Sequence, residues 1–143
     1  MVKKNKLKIN SISSLFKNIH FILIIGFCLN CFSQNLKYPT GIIIDSIEIK
    51  GSVEESFTLY LPKNYTPSYS SPIVFVFDPM GRGKTGIEPF IKASEAYNYI
   101  IICSNNIRNG PYESNLTQIN RLFDTVLDEF NVNEKRIYTS GFS

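Results

Sequence analysis

"IVFVFDPMGRGKTG", residues Ile73 to Gly86, is the stretch on which the fold turns. Five apolar residues stand in a row, Ile73-Val74-Phe75-Val76-Phe77, with no alternation. A strand with one wet face alternates, whereas a continuous apolar run suits a central strand covered on both faces. The run stops at a glycine-rich turn, Asp78-Pro79-Met80-Gly81-Arg82-Gly83, and a helix is expected next. Thr85-Gly86-Ile87-Glu88 fits a capping box, and Glu88-Pro89 alternatively puts proline in the first helical turn. That helix would carry Phe90, Ile91, Ala93, Ala96 and Tyr97.

The elements on either side extend the pattern. Tyr99-Ile100-Ile101-Ile102-Cys103 reads as a second buried strand, and the polar Ser104 to Ser114 segment, with Asn109-Gly110-Pro111, as a loop. Ser114 or Asn115 is placed to cap a second helix. Its apolar residues, Leu116, Ile119, Leu122, Phe123, Val126, Leu127 and Phe130, mark one face at helical spacing. Arg136-Ile137-Tyr138-Thr139-Ser140 is a short third strand. Upstream, Gly41 to Ile49 and Ser56 to Leu61 flank the turn signal Lys50-Gly51-Ser52 and read as an antiparallel hairpin. Pro62 to Pro72 is a polar loop. The expected class is α/β, an antiparallel hairpin leading into a mostly parallel sheet with crossover helices. Ligands bind such sheets beyond the carboxyl ends of the strands. Two segments lie there, the Asp78–Gly83 turn and Gly141-Phe142-Ser143.

The charge is divided along the chain. Residues 1–33 hold five lysines (Lys3, Lys4, Lys6, Lys8, Lys17) and no acid, whereas residues 34–143 hold ten basic and twelve acidic side chains, a net −2. The body therefore offers no basic patch for nucleic acid. The lysine-rich start leads into the apolar run Phe21 to Leu29, then into Cys31-Phe32-Ser33-Gln34. This is the order of an export signal, with cleavage expected after Ser33, and the run is short of the ~20 apolar residues that span a membrane. Residues 1–33 are thus expected to be a signal peptide and residues 34–143 to form part of one domain. The product would be secreted or periplasmic, with a lipoprotein anchored at Cys31, or at Cys28, as the alternative. Membrane contact is expected only through that segment. His20, the single histidine, lies within it. Of three cysteines only Cys103 remains in the body, inside an apolar run, where it is expected to pack as a small buried hydrophobe.

Gly141-Phe142-Ser143 is the front half of G-x-S-x-G, and it follows a strand in a βαβ series. "LYLPKNYTP" (Leu59–Pro67), "SPIVFVFDPMGRG" (Ser71–Gly83), "NYIIICSNN" (Asn98–Asn106) and "VNEKRIYTSGFS" (Val132–Ser143) together resemble the N-terminal half of the α/β-hydrolase fold, in particular secreted esterases and dienelactone-hydrolase-like members. The resemblance covers about residues 40–143. It implies acyl transfer, with Ser143 as the nucleophile of a strand-to-helix elbow and Gly141 relieving crowding in its turn. It places one oxyanion donor after the third strand of the fold, at Met80 or Gly81, since Pro79 has no N–H. The family often carries His-Gly before that donor, where this chain has Asp78-Pro79. The family order of Ser, acid, His puts both partners beyond Ser143, so residues 34–143 are expected to be an incomplete, N-terminal portion that is inactive alone. The implied partner is a small-molecule or polymer ester, with no cofactor; no metal-ligand cluster is evident.

Two other functions compete. Asp78 to Thr85 differs at one position from the phosphate-binding pattern G-x-x-x-x-G-K-[ST], with Asp78 in place of the first glycine. The other is a non-catalytic binding protein on the same fold. Arg82, Arg108 and Tyr112 stand on loops beyond strand ends, within reach of a ligand or simply solvated, and Phe142 is expected beneath the elbow or in the pocket.

Overall fold

The computed structural model describes residues 36–142. The expected signal segment, with His20, Cys28 and Cys31, lies outside them, as does Ser143. Within them a five-stranded sheet runs in the order β1 (Ile43–Glu48), β2 (Ser56–Tyr60), β4 (Ile100–Ser104), β3 (Ser71–Phe77), β5 (Val132–Gly141). The hairpin is antiparallel, with Ile43 opposite Tyr60 and Glu48 opposite Ser56. It bulges between Ile44 and Ile47, where Ser46 sits at φ 57° and donates its N–H to Asp45 Oδ1 at 2.8 Å. The bulge explains why the alternation of the first strand is clean only at its end. β2 pairs antiparallel with β4, while β4 and β5 flank β3 in parallel.

Each central strand sends alternate residues to opposite faces. On one face Phe57, Leu59, Ile73, Phe75, Ile100 and Ile102 pack against Leu122, Val126 and Phe130. The first two of these belong to α3 (Tyr112–Glu129), the long helix joining β4 to β5, and Phe130 follows it. Phe75 stacks on Phe123 at 3.9 Å between centroids. On the other face Tyr60, Val76, Ile101 and Cys103 meet Ile87, Phe90 and Ile91. These come from α1 (Gly83–Ile87), the 3₁₀ turn Glu88–Phe90 and α2 (Ile91–Tyr97). Cys103 is fully buried, and burial pushes its thiol up to about 11. A Cβ on Gly86 would stand 2.5 Å from its sulfur, so glycine lets α1 lie directly on β4.

The ends of the elements differ from expectation. α1 begins at Gly83 with Arg82 before it and no side-chain cap, so Thr85 lies inside the helix and the capping box does not form. Pro89 does occupy the first positions of the following 3₁₀ turn. α2 buries Ser94, whose hydroxyl donates to the Tyr99 carbonyl at 2.7 Å, while Tyr97 is exposed. α3 starts at Tyr112 behind Pro111; Asn115 is inside it and spends its amide on the Arg108 carbonyl at 2.7 Å. β5 runs from Val132 to Gly141, longer than the apolar pattern suggested, because backbone pairing with β3 holds it at Val132 and again from Ile137 to Gly141, across an irregularity between them.

The crossover after β3 and the crossover after β4 lie on opposite faces of the sheet. Ligands bind an open α/β sheet of this kind beyond the carboxyl ends of its strands.

Candidate active site

β3 and β5 end level. Phe77 pairs with Gly141, and the Phe142 N–H extends the ladder to the Phe77 carbonyl at 3.2 Å. The two segments singled out in the sequence are therefore neighbours. They border a cleft of about 340 Å³ lined by Phe77, Pro79, Ile107, Leu116, Ile119 and Phe142, with Arg108 and Tyr112 among the residues around it. Phe142 and Tyr112 are about half and three-quarters exposed. A Cβ at Gly141 would stand 3.4 Å from the Phe77 carbonyl oxygen, an ordinary contact, so the described residues show no crowding at that position.

Asp78 organises the loop after β3. The residue is buried, 3% exposed. Its Oδ1 accepts the Met80 N–H at 2.9 Å, the Arg82 N–H at 3.3 Å and Arg82 Nε at 3.0 Å, and Oδ2 accepts the Arg82 terminal nitrogen at 2.9 Å. The Arg82 guanidinium, helped by the two backbone N–H groups and opposed by burial, holds the carboxyl down at about 2. The Gly81 N–H donates to the Asp78 carbonyl at 3.0 Å, and Gly81 takes φ +66°. Both amides expected to face an oxyanion, Met80 and Gly81, are thus engaged within the loop in this conformation. The loop is also fastened to its neighbour, since Met80 bridges Arg108 and the Asn109 N–H donates to the Pro79 carbonyl at 3.0 Å.

The same geometry gives the nucleotide alternative no support. A phosphate-binding loop turns its amides toward an empty cradle. Here the Asp78 carboxylate takes the Met80 and Arg82 amides.

Beside the loop, on the hairpin side, lies a polar group the sequence did not reveal. Thr58 of β2, fully buried, donates to Asp45 Oδ1 at 2.6 Å. Asn105, just past β4, donates to Asp45 Oδ1 at 3.2 Å and to Ser56 Oγ at 3.0 Å. The Thr58 hydroxyl, first among these contacts, keeps the Asp45 carboxyl below its ordinary value against the effect of burial. These residues are far apart in sequence and carry no motif. The Asp78–Arg82 pair, by contrast, had a signal in its i,i+4 opposite charges. Among the described residues no group of three or more His, Cys, Asp or Glu side chains could hold a metal ion.

A mixed sheet in the order β1-β2-β4-β3-β5, crossovers on both faces and a cleft where β3 and β5 end together are the arrangement of part of an α/β-hydrolase fold. Three solved structures share this fold in part. A thermostable esterase aligns at TM-score 0.52 and 20% identity, over 71% of this chain and 34% of that one. Acetyl xylan esterase from Aspergillus awamori aligns at 0.55 and 17%, over 71% and 42%. Esterase 2 of Thermogutta terrifontis, phosphonylated by sarin, aligns at 0.55 and 15%, over 74% and 43%. The chain thus spans less than half the length of each of these esterases. No family model matches the sequence, and no curated protein matches it significantly.

Proposed function

We propose that this chain carries the nucleophile side of an exported serine esterase site. The observation that carries the reading is the level ending of β3 and β5 at the cleft, with Ser143 next in sequence after Phe142. In the proposed reaction the Ser143 hydroxyl adds to the ester carbonyl carbon while a histidine takes its proton. The tetrahedral oxyanion then collapses, the alcohol leaves with that proton, and water later releases the acid from the acyl-serine. Residues 36–142 contain no histidine, so the base comes from outside them, and the order Ser, acid, His that the resemblance implies places the acid there too. Met80 is the proposed donor from the β3 loop; its N–H exchanges the Asp78 carboxylate for the oxyanion when substrate binds. The apolar lining of the cleft suits an ester with an apolar acyl or alcohol group.

A second reading, a ligand-binding protein on this fold, is favoured by the engagement of the Met80 and Gly81 amides with Asp78. A fluorophosphonate probe separates the two, being of the same reagent class as the sarin that phosphonylates one of the similar esterases. The full-length protein should label at Ser143, and Ser143→Ala should abolish labelling and cut ester turnover by up to ~10⁶-fold, as in serine hydrolase triads. Residues 1–143 alone should not label. Turnover that survives Ser143→Ala would dismiss the esterase reading, and a full-length protein that neither labels nor turns over ester would favour the binding one.

A further inference from the structure

We propose that Thr58 and Asn105 are positioning residues, which with Asp45 form a polar seat, buried at Thr58 and open at Asp45, that sets where the Asp78–Gly83 loop stands beside the cleft. Its catalytic consequence rests on the esterase reading above.

Two glycines show how closely loop and seat meet. A Cβ on Gly83 would fall 2.0 Å from Asn105 Oδ1 and 2.2 Å from Thr58 Oγ1. A Cβ on Gly81 would fall 2.5 Å from the Asn105 carbonyl oxygen. The loop backbone therefore rests on these polar atoms with no side chain between. The seat is itself anchored on three strands. Asp45 comes from the β1 bulge, Thr58 from the middle of β2 opposite Cys103 of β4, and Asn105 follows β4, with its N–H on the Ser56 carbonyl at 3.0 Å. Asn105 Oδ1 also lies 2.9 Å from the Thr58 hydroxyl. A valine at position 58 would bury the same volume without desolvating a hydroxyl. What the hydroxyl adds is direction: its one proton holds Asp45 Oδ1, Asp45 in turn accepts the Asn105 amide, and Asn105 supports the loop. Displacement of a positioned group by about 1 Å can cost 10²-fold in rate.

The test compares Thr58→Val with Thr58→Ser in the full-length protein. Thr58→Val should raise hydrogen exchange across Met80–Gly83 and leave α3 protection unchanged. With a neutral p-nitrophenyl ester, kcat should fall roughly 10-fold while KM changes much less, because apart from Asp78 and Pro79 the cleft lining lies outside the loop. Thr58→Ser should restore both. Unchanged exchange at the loop in Thr58→Val overturns the seat. Raised exchange with unchanged kcat overturns its positioning role. If wild-type protein hydrolyses no ester, the esterase reading fails, and loop exchange alone then decides whether the seat exists.

Discussion

β4 and β5 run in the same direction on either side of β3, yet they are held by different means. All five residues of β4 are buried, and its side chains feed both apolar clusters. None of the ten residues of β5 is buried, and Tyr138 is nearly half exposed. The position of β4 is dictated by what its side chains bury. β5 depends on its backbone ladder to β3, with Ile137 and Val132 packed at the margin of the core. The candidate site inherits both modes, because β5 leads straight to Gly141 and Phe142, while Asn105 follows β4 and supports the loop after β3.

The sharpest way to break this contrast is truncation on each side of the β3–β5 ladder. Phe75 is fully buried and stacked on Phe123, so Phe75→Ala should cost about 3–5 kcal/mol. Ile137→Ala, at the margin, should cost about 1 kcal/mol. Urea unfolding of both variants measures the difference. Equal costs would show that β5 is as deeply determined by packing as the interior strands.

A smaller effect probes the other face of the sheet. Gly86→Ala would push a methyl group into Cys103, and overpacking of this kind costs about 1–3 kcal/mol. Cys103→Ala in the same chain should recover much of that loss, since the two groups compete for one space. Additive losses in the double variant would mean that α1 does not rest on β4 at this point.

The smallest expected effect concerns acid. The carboxyl of Asp78 is depressed to about 2 in the folded chain, so it favours the folded state above the ordinary aspartate range. That contribution should be lost as pH falls from about 4 toward 2. Asp78→Asn should lack this part of the acid limb while keeping the rest. Matching unfolding profiles for wild type and Asp78→Asn between those pH values would show that the Arg82 pairing is not formed in solution.

The hairpin, β3, β4 and α3 were legible because each announces itself locally. Continuous apolar runs mark strands covered on both faces, and gaps of three and four mark a helix face. The level ending of β3 and β5 was foreshadowed by the strand–helix–strand order, and with it the nearness of the Asp78 loop to Gly141-Phe142. The starts of α1 and α3 were not legible. Thr85 and Asn115 are good capping residues, yet the chain turns into helix earlier, where Asp78 holds the Arg82 amide and where Pro111 precedes Tyr112.

Residue order alone determined the class of fold, because burial period is a local property that any window of the sequence displays. Tertiary structure alone decided the rest. It showed that Met80 and Gly81 have their amides engaged with Asp78, that Gly83 lies against Asn105 and Thr58, and that β5 reaches ten residues with few apolar side chains. Each of these depends on a hydrogen bond or a close approach, and most join residues distant in sequence. Such contacts have no period; they exist only once the strands have set the distance between the groups that make them.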